Sequence, residues 1–195
     1  RLTNRCQIST KTVSVSGSQE AVNSAGRKSE MRMQMSLKSL ELKNDIEYGL
    51  LQNNVLATAP RQTRGVLGWV GDNADGGTSY VAANYVTNVA QTDGTQIAFT
   101  EARLKNVLQK CYTAGGNPNV VMVPPLAKQT FSTFTGNATA MREAEEKQLT
   151  ATVDVYISDF GTLKVMTNRR QRIRDVFVLE SNKWKLAFLR PFMTK

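Results

Sequence analysis

The chain has 195 residues, enough for one domain, or one domain with long appendages, around a real apolar core. Its hydrophobic share of 41% and charged share of 21% are ordinary for a globular protein, but 25 Lys and Arg against 16 Asp and Glu give a net charge of +9. That excess points to a polyanion or an acidic partner surface, and the absence of any His removes the usual acid–base group near neutral pH and the commonest metal ligand. No apolar run approaches the ~18 residues of a membrane span, and Arg1-Leu2-Thr3-Asn4-Arg5 has no apolar signal core and no initiator Met. The chain therefore reads as trimmed or as part of something longer.

The first ~25 residues read as an extended arm. Thr12-Val13-Ser14-Val15-Ser16 alternates at strand period, and Gly17-Ser18 offers a turn. Its apolar side is thin, so a ribbon of this kind needs another surface to lie on. A helix is expected from about Arg27 to Asn53, capped by Asn23 or Ser24, with a Lys43–Glu47 pair on its wet face. Met33, Leu37 and Leu40 form one apolar row on it, and Leu42, Ile46 and Leu50 another. The Met-rich side, Met31, Met33 and Met35, reads as packing rather than a cofactor site.

From Ala57 to Gly94 the chain turns glycine- and asparagine-rich, which reads as a long loop with at most short strands. A denser α+β unit follows. Thr100 caps a helix carrying Leu104, Val107, Leu108 and Cys111; Gly115-Gly116 ends it; Val120 to Val123 is a short buried strand; Pro124-Pro125 opens a helix around Leu126 to Phe131. Met141 to Gln148 reads as a charged surface helix. Val153, Val155 and Ile157 alternate with Asp154 and Tyr156 as a half-buried strand. Ser158 to Gly161 turns the chain, Thr162 to Met166 returns, and Asp175 to Leu179 and Trp184 to Leu189 are the last strands.

Little chemistry is on offer. Cys6 and Cys111 lack metal spacing; Cys111, on an apolar helical stripe, reads as a buried reduced thiol, with a disulfide to Cys6 as the alternative. Asp159-Phe160-Gly161 matches the kinase magnesium triplet, but its companion motifs are missing and a hairpin turn explains it. There is no Walker loop, dinucleotide fingerprint or nucleophile elbow. Glu143, Glu145 and Glu146, beside Arg142 and Lys147, read as a solvated face. The strongest charge feature is Arg169-Arg170-Gln171-Arg172-Ile173-Arg174. It reads as a solvated loop, as a salt-bridged subunit contact, or as a nucleic-acid contact; Arg169, Arg170, Arg172 and Arg174 are the contact candidates. It lacks the interleaved aromatics of base-stacking platforms.

The order of several phrases resembles the tailed-phage major capsid (major head) proteins of the Hong Kong 97 fold family. They are Gln7 to Gly17, Ala25-Gly26-Arg27-Lys28-Ser29-Glu30, Ala114-Gly115-Gly116-Asn117-Pro118 and Gly136-Asn137-Ala138-Thr139. Val153 to Val165 with Asn168-Arg169, and Trp184 to Pro191, complete the set. The resemblance covers nearly the whole chain. It implies an α+β capsid fold with an extended β arm, a long spine helix and an α/β axial domain. Residues 1–25 would be part of the extended-loop arm, 26–59 the spine helix of the peripheral domain, 60–99 a loop-rich connection and 100–195 the axial domain. Set against that pattern, an N-terminal arm ahead of the extended loop and the C-terminal strands of the peripheral domain are not matched, so the chain is expected to be a fragment or to lack its ends. The implied role is a virion shell protein, not an enzyme, assembled in the bacterial host cytoplasm as pentamers and hexamers into an icosahedral capsid. Its partners would be itself, packaged double-stranded DNA by nonspecific contact, and scaffolding, portal and decoration proteins, with no cofactor and no membrane. The alternative is a basic nucleic-acid-associated binding protein.

Overall fold

A computed structural model describes residues 2–22, 25–134, 155–190 and 193. The expected Met141–Gln148 helix, the acidic group Glu143, Glu145 and Glu146, and the cap candidates Asn23 and Ser24 lie outside the described residues.

The α/β unit follows from local sequence. Helix α3 (Glu101–Thr113) starts after Thr100 and buries Leu104 and Leu108, with Val107 and Cys111 half-buried beside them. Gly115 ends that turn at φ 83°, a left-handed conformation that a residue with a Cβ adopts only at a cost. Strand β1 (Val120–Val123) follows, then α4 (Pro125–Ser132), with Pro at its first position where no N–H is needed. Strands β2 (Val155–Ser158), β3 (Gly161–Thr167) and β4 (Phe177–Leu179) complete a sheet of order β2-β3-β1-β4, parallel only at β1–β3. Val121 sits opposite Val165 in the β1–β3 register, and both face Leu104, Leu108, Ala127 and Phe131.

The half-buried strand expected from alternation forms, and its buried face is the one with Tyr156, 1% exposed, while Ile157 is 61% exposed. Alternation fixes two faces but not which one is covered. The Tyr156 ring packs edge-on against Phe131 at 5.6 Å, and its hydroxyl donates to Glu101 Oε1 at 3.2 Å. The larger ring is buried with its polar tip satisfied, so it takes the core side. Burial, and then the Glu101 charge, push the Tyr156 hydroxyl up to about 12.

The other sheet face is half covered. Leu51 and Leu67 pack on Phe177 near β4, with Val66, Met122 and Leu179 around them. Toward β2 the same face leaves Val155, Ile157 and Met166 exposed.

Helix α2 (Glu30–Leu50) is shorter than expected from about Arg27 to Asn53, and its cap is Ser29, not Asn23 or Ser24. The Ser29 hydroxyl accepts from the Arg32 amide, and an outside carboxylate completes the cap. Glu20, on the short helix α1 (Gly17–Ala21), accepts from Ser29 Oγ at 2.6 Å and from the Glu30 and Met31 amides at 2.9 and 3.0 Å. These unpaired first-turn donors attract negative charge, and the Ser29 bond above all holds the Glu20 carboxyl below its ordinary value. Gly17-Ser18 is thus the start of a helix and not the expected turn. The arm strand at 12–16 does not form; residues 2–16 are coil, touching the chain through Asn4 to the Arg64 amide, Gln7 to the Thr63 amide, and a Lys11–Asp45 ion pair at 2.6 Å. On α2, Glu47 accepts from Asn168 at 2.6 Å, whereas the sequence had suggested Lys43 as its partner.

Between α2 and α3 the chain is loop-rich as expected, with a 3-10 turn at Val66–Trp69 and isolated bridges Ala57–Gln62, Val81–Thr92 and Asn84–Val89. Asn88 ties this region together from φ 60°. Its Oδ1 accepts from the Leu56 amide and Arg64 Nη2, and its Nδ2 donates to the Leu56 carbonyl. Arg64 is 3% exposed, with its guanidinium 4.5 Å over the Trp69 ring. Asn88→Ala removes three bonds, strains the left-handed backbone and leaves a buried cation with fewer acceptors. A loss of about 1–3 kcal/mol in denaturant unfolding is expected, against almost none for exposed Thr87→Ala.

The last expected strand, Trp184 to Leu189, is also absent. A 3-10 turn at Ser181–Lys183 leads into an extended segment with Trp184, Leu186, Phe188 and Leu189 exposed.

Candidate assembly surfaces

The two apolar rows of α2 lie on opposite sides of the helix. At 100° per residue, Met33, Leu37 and Leu40 fall within about 60° of one another and roughly half a turn from Leu42 and Ile46. Leu42, Ile46 and Leu50 are half-buried. Met33, Leu37 and Leu40 are 39%, 44% and 56% exposed, and the exposed Tyr48 extends their side of the helix. A helix that is apolar on two sides has to cover the second against something else. The open half of the sheet, with Val155, Ile157 and Met166, is a second apolar surface, and the 184–189 segment a third. Grouped exposed apolar side chains mark contact surfaces in a way that scattered ones do not.

The basic run splits into two parts. Arg172 and Arg174 both reach Asp93, the first through Nη2 to Oδ2 and the second at 3.5 Å; Arg172 Nε also lies 3.2 Å from Asp175 Oδ2. Arg174 Nη2 donates to the Gly94 carbonyl at 2.6 Å. Burial alone would push the Asp93 carboxyl up, but the hydrogen bond and charge of Arg172, with Gln91 and Arg174, hold it below its ordinary value. Asp175 is displaced the other way because burial outweighs the pull of Arg172. Gln171, between them, is buried and donates to the Met122 and Asp175 carbonyls. Arg169 is exposed beside Pro125, Lys128 and Thr167 in a shallow cleft, and Arg170 is half-buried with its amide on Asn168 Oδ1. Asp93 was not a sequence candidate; it stands 79 positions from Arg172, and no local pattern pairs them.

Asp159-Phe160-Gly161 is a turn between β2 and β3, with Gly161 at φ 131° and the Phe160 ring 5.0 Å from Tyr112. Cys6 and Cys111 are not bonded to each other, and burial pushes the Cys111 thiol up, away from reactivity. Among the described residues no three His, Cys, Asp or Glu side chains gather as a metal site, and no helix is long and apolar enough to cross a membrane.

A mixed α+β subunit with apolar side chains displayed on a helix, a sheet face and an extended segment has the surface of an assembly component. The family described as SU10 major capsid protein matches residues 1–195, and the chain belongs to that family, the major capsid proteins of tailed phages. None of the curated proteins compared matches it. The family is structural, its members build a shell, and the place of such a protein is the virion.

Proposed function

We propose that this chain self-assembles as pentamers and hexamers into an icosahedral shell around the phage double-stranded DNA, with the Hong Kong 97 capsid architecture. The observation that carries the reading is the exposed Met33–Leu37–Leu40 row on a helix whose other apolar row, Leu42, Ile46 and Leu50, is half-buried. In this assignment residues 1–25 belong to the extended-loop arm, 26–59 to the spine helix of the peripheral domain, 60–99 to the connection and 100–195 to the axial domain. The mixed sheet with α3 and α4 packed on it and the 21-residue α2 accord with that division. Assembly takes place in the bacterial host cytoplasm, with scaffolding, portal and decoration proteins as further partners.

Contact with the packaged DNA is nonspecific and weakens with salt. Asp93 and Asp175 already engage Arg172 and Arg174, so Arg169 and Arg170 are the stronger candidates from that run for touching phosphate. Sedimentation velocity of the full-length product over a range of concentrations tests the assembly reading. Species of five or six copies and larger, growing with concentration, support it; a single monomeric boundary at every concentration contradicts it.

A further inference from the structure

The hairpin at 81–92 is held on two sides by different chemistry. Toward the segment after α2 its ties are neutral: Asn88 with Leu56 and Arg64, Asn53 Nδ2 to the Gln91 carbonyl at 2.8 Å, and Tyr85 stacked on Trp69 at 6.4 Å. Although Arg64 is charged, its acceptor there is an amide oxygen. Toward the sheet the ties are ionic. Asp93 meets Arg172 and Arg174, and Gly94 accepts from Arg174. Elsewhere the α2 side and the loop reach the α/β unit through the small Leu51–Leu67–Phe177 cluster, the Glu47–Asn168 bond, and Asp75 and Ala74, which accept from Arg103 and Lys110 of α3 at 2.8 and 2.9 Å.

The ionic side is also imperfectly satisfied. Tyr80 Oη and Arg172 Nη1 are buried without a hydrogen-bond partner. Such atoms lower the stability of the closed arrangement, because each gives up water for nothing. An ionic contact at partial exposure responds to charge and salt, while the amide and aromatic contacts on the other side do not.

We infer that Asp93, Arg172 and Arg174 form an ionic clasp that fixes the 81–92 hairpin, and with it the α2 side of the chain, against the sheet. The clasp opens as a hinge when its charge is removed or screened, with both sides remaining folded. The inference concerns one chain and stands apart from the shell reading.

Spin labels on Val86→Cys and Ile173→Cys, both highly exposed, report the distance across the clasp in a chain with Cys6→Ser and Cys111→Ser. Labelled chain is diluted with unlabelled chain so that only distances within one subunit are read. A single narrow distribution is expected at about 0.05 M NaCl, broadening at about 1 M. Asp93→Asn should broaden it at low salt and shift it by about 5 Å or more, the scale of one element moving a turn past another. A folded Asp93→Asn chain with unchanged distances overturns the clasp whatever salt does. If that variant fails to fold by circular dichroism, the salt series on the parent decides, and an unchanged distribution there overturns it.

Discussion

Phe131→Ala should lower stability to denaturant by about 3–5 kcal/mol, the range for emptying a buried aromatic site. Phe131 is 1% exposed and stands where α4 meets the sheet. Its ring lies 5.1 Å from Phe134, 5.6 Å from Tyr156 and 6.3 Å from Phe99. These rings come from separate segments, so the hole cannot be filled by one side chain changing rotamer. Domains of this size are stable by only about 5–15 kcal/mol, and the loss is a large part of that. Guanidinium unfolding followed by far-ultraviolet circular dichroism measures it. A midpoint within experimental error of the parent would mean that this aromatic cluster is not the core.

Leu37→Asp should have the opposite profile: near-parental folding stability and no assembly. Leu37 is 44% exposed in the middle of the outer row of α2, so an aspartate there meets water in the isolated subunit. Surface changes of this kind usually stay within about 0.5 kcal/mol. In a shell contact the same carboxylate would be buried against apolar side chains, which costs several kcal/mol per copy unless it finds a partner. That cost recurs at every equivalent contact, so particle yield should fall to background while the unfolding midpoint holds. Leu42→Asp, on the half-buried side, should instead lower the midpoint. Particles of normal yield from Leu37→Asp would remove the outer row from the contact surface.

The α/β unit was legible because its signals are local. Val120 to Val123, the two prolines after it and Gly115-Gly116 each constrain the backbone within a few residues, and the elements formed where those residues stand. The facing of β2 was not legible, since period-two alternation cannot say which side Phe131 and Glu101 will occupy. The long helix was visible but its start was misplaced: the cap draws on Glu20, nine to eleven residues upstream on a five-residue helix too short to announce itself. Both apolar rows of α2 could be read from spacing alone; that one is half-buried and the other exposed could not. The basic run was conspicuous for charge, yet two of its four arginines are engaged by carboxylates, and Asp93 arrives from the far end of a loop. The arm and the 184–189 segment carry strand-like patterns without a strand partner among the described residues. A pattern records what a segment can pair with, and the pairing itself depends on what lies beside it.

The most direct test of the shell reading is negative-stain electron microscopy of the full-length natural product, expressed in a bacterial cytosol. Closed shells, or rings of five and six subunits, are the expected result. A field of uniform particles the size of one chain, unchanged when the scaffolding partner is co-expressed, would contradict it.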